Sequence, residues 1–296
     1  MIDRLVLGTA GLGMNYGISN QTGKPRFEEA YDILKSAYDQ GIRCFDTAQA
    51  YGESEEILGK VFEQLGLRSK VKIYTKLASR IDLENAQLVR RSVEESLYKL
   101  KVERLEGLLL HDENGLLFWN KGLKEVLKDL VDQGIVNSLG VSFYTPSKAY
   151  EALDMEGIDF IQVPANILDH RFEDAGVFKK AQRCNKEVFV RSIFLQGLLL
   201  MSLDQVPQRL RGILPYLDQI EGLASDMKLT RREFVLEYAA QRWPGAYILF
   251  GAENKSQVKE NLQAFSRKSK VNFEKELFKN VPENILNPVL WPKQSA

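Results

Sequence analysis

Asp46, Tyr51, Lys76 and His111 are the residues whose types and spacing could do chemistry together. In GIRCFDTAQAYGES, the strand-like run from Ile42 to Phe45 stops on Asp46, and Tyr51 follows before Gly52 breaks the chain. A carboxylate where a buried strand emerges needs a cation, because an unpaired buried charge costs on the order of several kcal/mol. Two later runs end on polar groups in the same way, VKIYTK on Lys76 and EGLLLH on His111. Lys76 is the expected partner of Asp46. An ammonium beside a phenol favours phenolate, so Lys76 is expected to lower the Tyr51 pKa from its ordinary value of about 10. A tyrosine tuned in this way can protonate a forming alkoxide, or deprotonate an alcohol in reverse. His111 can hydrogen-bond the same carbonyl oxygen. Taken singly, each has an ordinary explanation: a turn cap, a packed aromatic, a solvated lysine, a core histidine. Together they describe one active site.

Something must bring the four together. Eight strand-like runs alternate with amphipathic helices: RLVLGT, IRCFD, VKIYTK, EGLLLH, VNSLGVS, DFIQVPA, EVFVRS and AYILFG. Most are apolar throughout, the pattern of parallel strands covered on both faces. Ala30, Ile33, Leu34, Ala37 and Tyr38 repeat at helical spacing and stop at Gly41, a residue suited to a left-handed helix end. Leu88, Val89, Val93, Leu97 and Leu100 form a second stripe, from about Glu84 to Lys99. The order predicts an α/β fold, a (β/α)8 TIM barrel forming a single domain over residues 1–296, with an open doubly wound sheet as the rival. Two connections are long, Gly11 to Arg26 and about Leu198 to Thr230, the second with room for an extra helix. The tail after Ser266 adds a short helix-like segment. GLGMNYG fits neither a dinucleotide fingerprint nor a P-loop, which excludes a Rossmann reading.

Forty Lys plus Arg balance forty Asp plus Glu, so net charge gives no reason to expect nucleic acid or an anionic membrane as partner. Hydrophobic residues are 44%, ample for a large core. Cys44 and Cys184 stand far apart and are read as reduced thiols, which with the absence of a signal-like N-terminus or a membrane-length apolar run points to the cytoplasm. With His111 and His170 as the only histidines, and no Cys/His cluster, no metal centre is expected; His170 is read as an exposed loop residue.

FDTAQAYGES, VKIYTK and LLLHDEN resemble the Asp, Tyr, Lys and His motifs of the aldo-keto reductase family. The likeness runs from GTAGLG at residue 8 to Asn261 and includes GVS at 140–142, FIQVPAN at 160–166 and RSIFLQGLL at 191–199. It implies a barrel oxidoreductase that uses NADPH or NADH to reduce an aldehyde or ketone. Tyr51 would be the general acid, Lys76 its modulator, Asp46 the partner of Lys76 and His111 the carbonyl orienter. Ser142 and Gln162 match the family's carboxamide contacts. Thr9, Asp46, Arg191, Ser192, Phe194, Gln196 and Gly197 fall at further cofactor positions. So do Gly251, Ala252, Lys255, Gln257, Glu260 and Asn261.

This chain departs from the family pattern at three places. Phe143 replaces an asparagine, Arg191 replaces the aromatic that commonly stacks on nicotinamide, and Gln257 replaces an arginine typical of NADPH-dependent members. Lys255 is expected to compensate at the 2′-phosphate, giving NADPH as cofactor with NADH also usable. The long GMNYGISNQTGKP loop resembles members from sugar-modifying gene clusters; the expected substrate is a small-molecule carbonyl, with a sugar-like or hydroxylated one and an aromatic aldehyde both open. Asn15, Tyr16, Trp119, Phe143 and Asn166 are expected to border its pocket. The alternatives are a nicotinamide-binding regulatory subunit with vestigial turnover and a lyase or isomerase using Lys76 as a Schiff-base amine. Oligomeric state is not readable.

Overall fold

Alternate residues of eight short strands fill the centre of the molecule. The computed structural model describes residues 2–267, 273, 277–278 and 280–291. Strands β1 (Leu5–Gly8), β2 (Cys44–Asp46), β3 (Lys72–Leu77), β4 (Leu105–Leu110), β5 (Val136–Ser142), β6 (Phe160–Pro164), β7 (Glu187–Arg191) and β8 (Tyr247–Phe250) pair in parallel in chain order. β8 returns to β1, with Val6 opposite Leu249, and closes the barrel.

The barrel interior is a hydrophobic cluster of its own: Val6, Cys44, Tyr74, Leu109, Phe160, Phe189 and Leu249. The rings of Tyr74, Phe160 and Phe189 meet at 4.9–5.7 Å between centroids. Glycines on the neighbouring strands make room for them. A Cβ on Gly107 would lie 2.4 Å from the Tyr74 ring, and one on Gly140 would lie 2.5 Å from Phe160. Strand side chains alternate between two faces. Two residues further along the inward face of each strand therefore stand Gly8, Asp46, Lys76, His111, Ser142, Gln162, Arg191 and Gly251. The period-two pleat turns a greasy plug into a polar mouth.

Helices coat the outside: α1 (Ala10–Gly13), α2 (Phe27–Asp39), α3 (Ser54–Gln64), α4 (Ala86–Leu100), α5 (Leu123–Asp132) and α6 (Pro146–Ala152) in the first half. The second half has α7 (Arg171–Asp174), α8 (Val177–Arg183), α9 (Leu214–Asp226), α10 (Arg231–Arg242), α11 (Lys255–Ser266) and α12 (Glu283–Leu286). Their ends are capped by local chemistry. Asn85 accepts from the backbone of Gln87 and Leu88 to start α4, and Thr230 and Glu233 form a capping box on α10. α2 ends at Asp39, and Gly41 just past its cap has a φ of +101°, which suits glycine.

The extra helix expected between Leu198 and Thr230 is α9, and the tail segment contributes α12. The expected stripe on α4 holds at Val89, Val93 and Leu100, which are buried, and at Leu97, which packs half-buried against the core; Leu88 is exposed, and Ser96 joins the buried face. His170 is not an exposed loop histidine either. It is half-buried, and its Nε2 shares a 2.8 Å hydrogen bond with the Tyr238 hydroxyl. No helix among the described residues is long and apolar enough to cross a membrane.

Candidate active site

The pair at the barrel mouth is fully buried. Lys76 Nζ donates to both carboxylate oxygens of Asp46, at 2.8 and 2.7 Å, and to the Thr47 carbonyl at 2.9 Å. All three ammonium hydrogens are thereby used. Gln162 Nε2 donates to Asp46 Oδ1 at 2.7 Å, so the carboxylate is held from two strands besides its own. A hydroxyl cluster fixes the strand end beneath it. Thr9 Oγ1 donates to the Asp46 carbonyl at 2.8 Å, and Ser54 Oγ lies 2.8 Å from Thr9 Oγ1 and 2.9 Å from Thr47 Oγ1.

Tyr51 stands above this pair. Its ring centroid is 4.9 Å from Lys76 Nζ and 5.6 Å from the His111 ring, which it meets edge-on. Its loop is pressed backbone to backbone against α1, and Glu53 N donates to the Gly13 carbonyl at 3.2 Å. A Cβ at Gly13 would lie 1.9 Å from the Tyr51 carbonyl oxygen. Gly52, at φ +56°, completes the turn.

The electrostatics correct one expectation. Burial pushes the Tyr51 pKa well above its ordinary value, and the Asp46 carboxylate adds to the rise; Arg191 opposes it only in part. The ammonium of Lys76 does not reverse this, because its hydrogens and charge are already spent on Asp46. Tyr51 is held as the protonated phenol. Burial also lowers the Lys76 pKa, against the pull of Asp46. His111 is lowered to about 4, first by burial and then by the Lys76 charge, so it is a neutral imidazole near neutral pH. Among the described residues, His111 Nδ1 and Gln162 Oε1 are buried polar atoms with no hydrogen-bond partner. Such atoms at a mouth are poised for a ligand.

Beside them opens a cavity of about 340 Å³, reaching from Asp46, Tyr51 and Gln162 past Arg191 to Glu253 and Gln257. The chain matches the model of the aldo/keto reductase family over residues 4–279. It belongs to that family. It is 30% identical over 182 residues to aldo-keto reductase YhdN of Bacillus subtilis, a match spanning 58% of this chain and 53% of that relative's length. It is 25% identical over 280 residues to D-arabinose 1-dehydrogenase of Saccharomyces cerevisiae, covering 87% of this chain and 81% of that one. The holo form of aldo-keto reductase AKR11C1 from Bacillus halodurans superposes with a TM-score of 0.72 at 22% identity, over 89% of this chain and 87% of that one.

Of the cofactor positions the family likeness implied, Thr9, Asp46, Gln162, Arg191, Ser192, Phe194, Gln196 and Gly197 line the cavity, as do Gly251, Ala252 and Gln257. Ser142, Lys255, Glu260 and Asn261 do not. Ser142 is buried opposite Gln162 in the sheet. The Lys255 ammonium reaches outward to Asp32 on α2, at 2.7 Å. Glu260 and Asn261 are engaged by Arg232, at 3.5 and 2.8 Å.

Arg232 itself lines the cavity and was not singled out in the sequence. Its only signal there was an RR doublet opening a helix. Of the expected pocket-border residues, Tyr16 lines the cavity and the others do not. Trp119 is buried and donates to the Glu156 carbonyl. Phe143 is core, Asn166 caps its own turn by accepting from Leu168 and Asp169, and Asn15 accepts from Lys24 N.

Proposed function

We propose that this aldo/keto reductase reduces an aldehyde or ketone to the alcohol with a reduced nicotinamide cofactor, Tyr51 acting as general acid. The observation that carries the reading is the buried Lys76–Asp46 pair 4.9 Å beneath a Tyr51 ring that also faces His111, at the edge of a cavity. Members of the family use nicotinamide cofactors, and the residues present suit one. The orphaned Gln162 Oε1 can accept from a carboxamide N–H, and the cavity continues to the loop after β8. When bound, such a cofactor supplies the hydride.

The chain's own residues handle the proton and the oxygen. Neutral His111 donates a ring N–H to the substrate carbonyl and positions it. Tyr51, kept protonated by burial, gives its proton to the alkoxide oxygen as charge develops there. The phenolate then left takes a proton back from solvent, because burial and the Asp46 carboxylate keep the Tyr51 pKa high. Lys76 is a poor Schiff-base amine in this arrangement, because it is buried and its three hydrogens are engaged.

NADPH is the proposed cofactor, with NADH also usable. Lys255 must leave Asp32 to meet a 2′-phosphate, and an exposed pair of this kind holds it by only about 0–1 kcal/mol. A small sugar-like or hydroxylated carbonyl is the proposed substrate, and the likeness to a protein named D-arabinose 1-dehydrogenase supports it. The proposed setting is the cytoplasm. The test follows the near-ultraviolet absorbance of the reduced cofactor across aldoses, hydroxyaldehydes and aromatic aldehydes. Turnover of none of them, with cofactor binding intact, would overturn the catalytic reading.

A further inference from the structure

We propose that Arg191 makes this site discriminate between the redox states of its cofactor, holding the reduced, neutral nicotinamide more tightly than the oxidised, cationic one. This rests on the nicotinamide reading above and deepens it.

The charges at the barrel mouth do not cancel. Asp46 and Lys76 neutralise each other at hydrogen-bond distance, and Tyr51 is a protonated phenol. His111, lowered to about 4, is neutral. Arg191 is left over. Its Nη2 donates to the Phe143 carbonyl at 3.1 Å, its Nη1 to Ser192 Oγ at 3.3 Å, and its guanidinium carbon lies 4.2 Å from the Tyr144 ring centroid. Each of these partners is uncharged. Among the described residues no carboxylate forms an ion pair with it. Arg232 and Glu253 line the same cavity toward the loop after β8 and act on each other there, so among the strand-end residues at the mouth Arg191 is the uncompensated positive charge.

That charge stands where the reacting ring must sit. Arg191 lines the same cavity as Tyr51, Asp46 and Gln162, and its field reaches Tyr51, Lys76 and His111. Hydride transfer brings the reacting atoms to roughly 3–3.5 Å. A carbonyl oxygen within reach of Tyr51 therefore fixes the ring in the chamber that Arg191 walls. The carboxamide that Gln162 can hold is common to both redox states and selects neither. Ring charge differs between them. A second positive charge brought a few ångströms from a partly buried guanidinium is disfavoured by about tenfold or more in affinity at the effective dielectric of such a site. Oxidised cofactor is thereby released more readily than reduced cofactor.

The experiment is equilibrium titration of the intact protein with NADPH, NADP⁺, NADH and NAD⁺, read by calorimetry. It compares the wild type with Arg191→Met, which keeps an unbranched apolar stem, and Arg191→Lys, which keeps the charge. The expected result is a ratio of oxidised to reduced Kd of about ten or more in the wild type. That ratio falls severalfold in Arg191→Met and is largely retained in Arg191→Lys. Arg191→Gln, which preserves a donor for the Phe143 carbonyl without charge, gives the same fall if the Met variant proves poorly folded. A ratio unchanged in the uncharged variants, with binding intact, overturns the inference and leaves the nicotinamide reading standing. Binding of neither redox state to the wild type overturns both.

Discussion

Gln162 and Asp46, 116 positions apart in sequence, are joined by a 2.7 Å hydrogen bond on the floor of the site. The amide nitrogen of Gln162 binds Asp46 Oδ1, which Lys76 also holds, and its own oxygen has no partner among the described residues. One side chain thus links the Lys76–Asp46 pair to the cavity, which Gln162 also lines. Gln162→Leu should remove both functions. Cofactor affinity should fall by about 0.5–1.5 kcal/mol for the lost carboxamide contact, measurable by titration. Carbonyl reduction should fall further, as Asp46 loses a restraint.

Tyr51→Phe keeps the ring between Lys76 and His111 and deletes the proton donor. Reduction should drop by about two orders of magnitude or more, since a positioned general acid contributes on that scale. Cofactor titration should be nearly unchanged. Turnover close to wild type would remove Tyr51 from its role.

Lys76 and Asp46 should show a strong double-mutant coupling. Lys76→Met strands a buried carboxylate and Asp46→Leu strands a buried ammonium, each expected to cost about 3–5 kcal/mol in denaturant unfolding. The double variant should recover much of that stability, because a well-packed apolar pair can replace a buried ion pair at little cost. It should recover no activity. Additive losses in stability would show that the pair is not the coupled unit its geometry describes.

How far these residues could be seen in advance depends on what each one answers to. The strand ends were legible, because parallel strands buried on both faces read as apolar runs, and a polar residue closing such a run stands out. Asp46, Lys76 and His111 are of this kind. Tyr51 was legible through its neighbours. The pairing of Lys255 with Asp32 on α2 was not legible, because the two are 223 positions apart and no local pattern joins them. Arg232 was missed because it belongs to a helix packed across the barrel rim, a proximity that no local pattern encodes. The sign of the Tyr51 shift was misjudged for a related reason. Sequence suggests that a lysine is near, but not that all its hydrogens are committed or how deeply the phenol is buried.

The pH dependence of stability should carry a His111 component. Its folded pKa of about 4 lies below the ordinary 6.5, so between these values the unfolded chain binds a proton that the folded chain refuses. Stability from this group is fully present above pH 6.5 and is lost as pH falls toward 4. Urea midpoints of the wild type should decline across that window, and His111→Gln should decline less. Parallel curves would mean that His111 is not held neutral by the fold.

Lys255→Ala tests the cofactor preference. If Lys255 swings from Asp32 to a 2′-phosphate, the variant should bind NADPH more weakly by about 1.5–3 kcal/mol, the range of a charge-assisted contact, and NADH almost as before. Equal changes for both would leave Lys255 on the surface, where the structure shows it. Arg232→Met would then be the next variant, since Arg232 lines the cavity.

Gly13→Ala separates the placement of Tyr51 from its chemistry. The added methyl would start 1.9 Å from the Tyr51 carbonyl and 2.4 Å from Ser54 N, both backbone atoms that no side-chain rotation can move aside. The Tyr51 loop must shift as a body, at a cost of about 1–3 kcal/mol in overpacking strain. A 1 Å error in a reacting group can cost about 100-fold in rate. The variant should therefore fold with a lowered melting temperature, retain cofactor binding and lose most of its kcat. Gly222→Ala on α9 is the control, because a Cβ there meets nothing within 4 Å and Gly222 does not line the cavity. If Gly13→Ala kept its kcat while its melting temperature fell, the backbone contact would serve stability alone, and Tyr51 would be positioned by its side-chain neighbours.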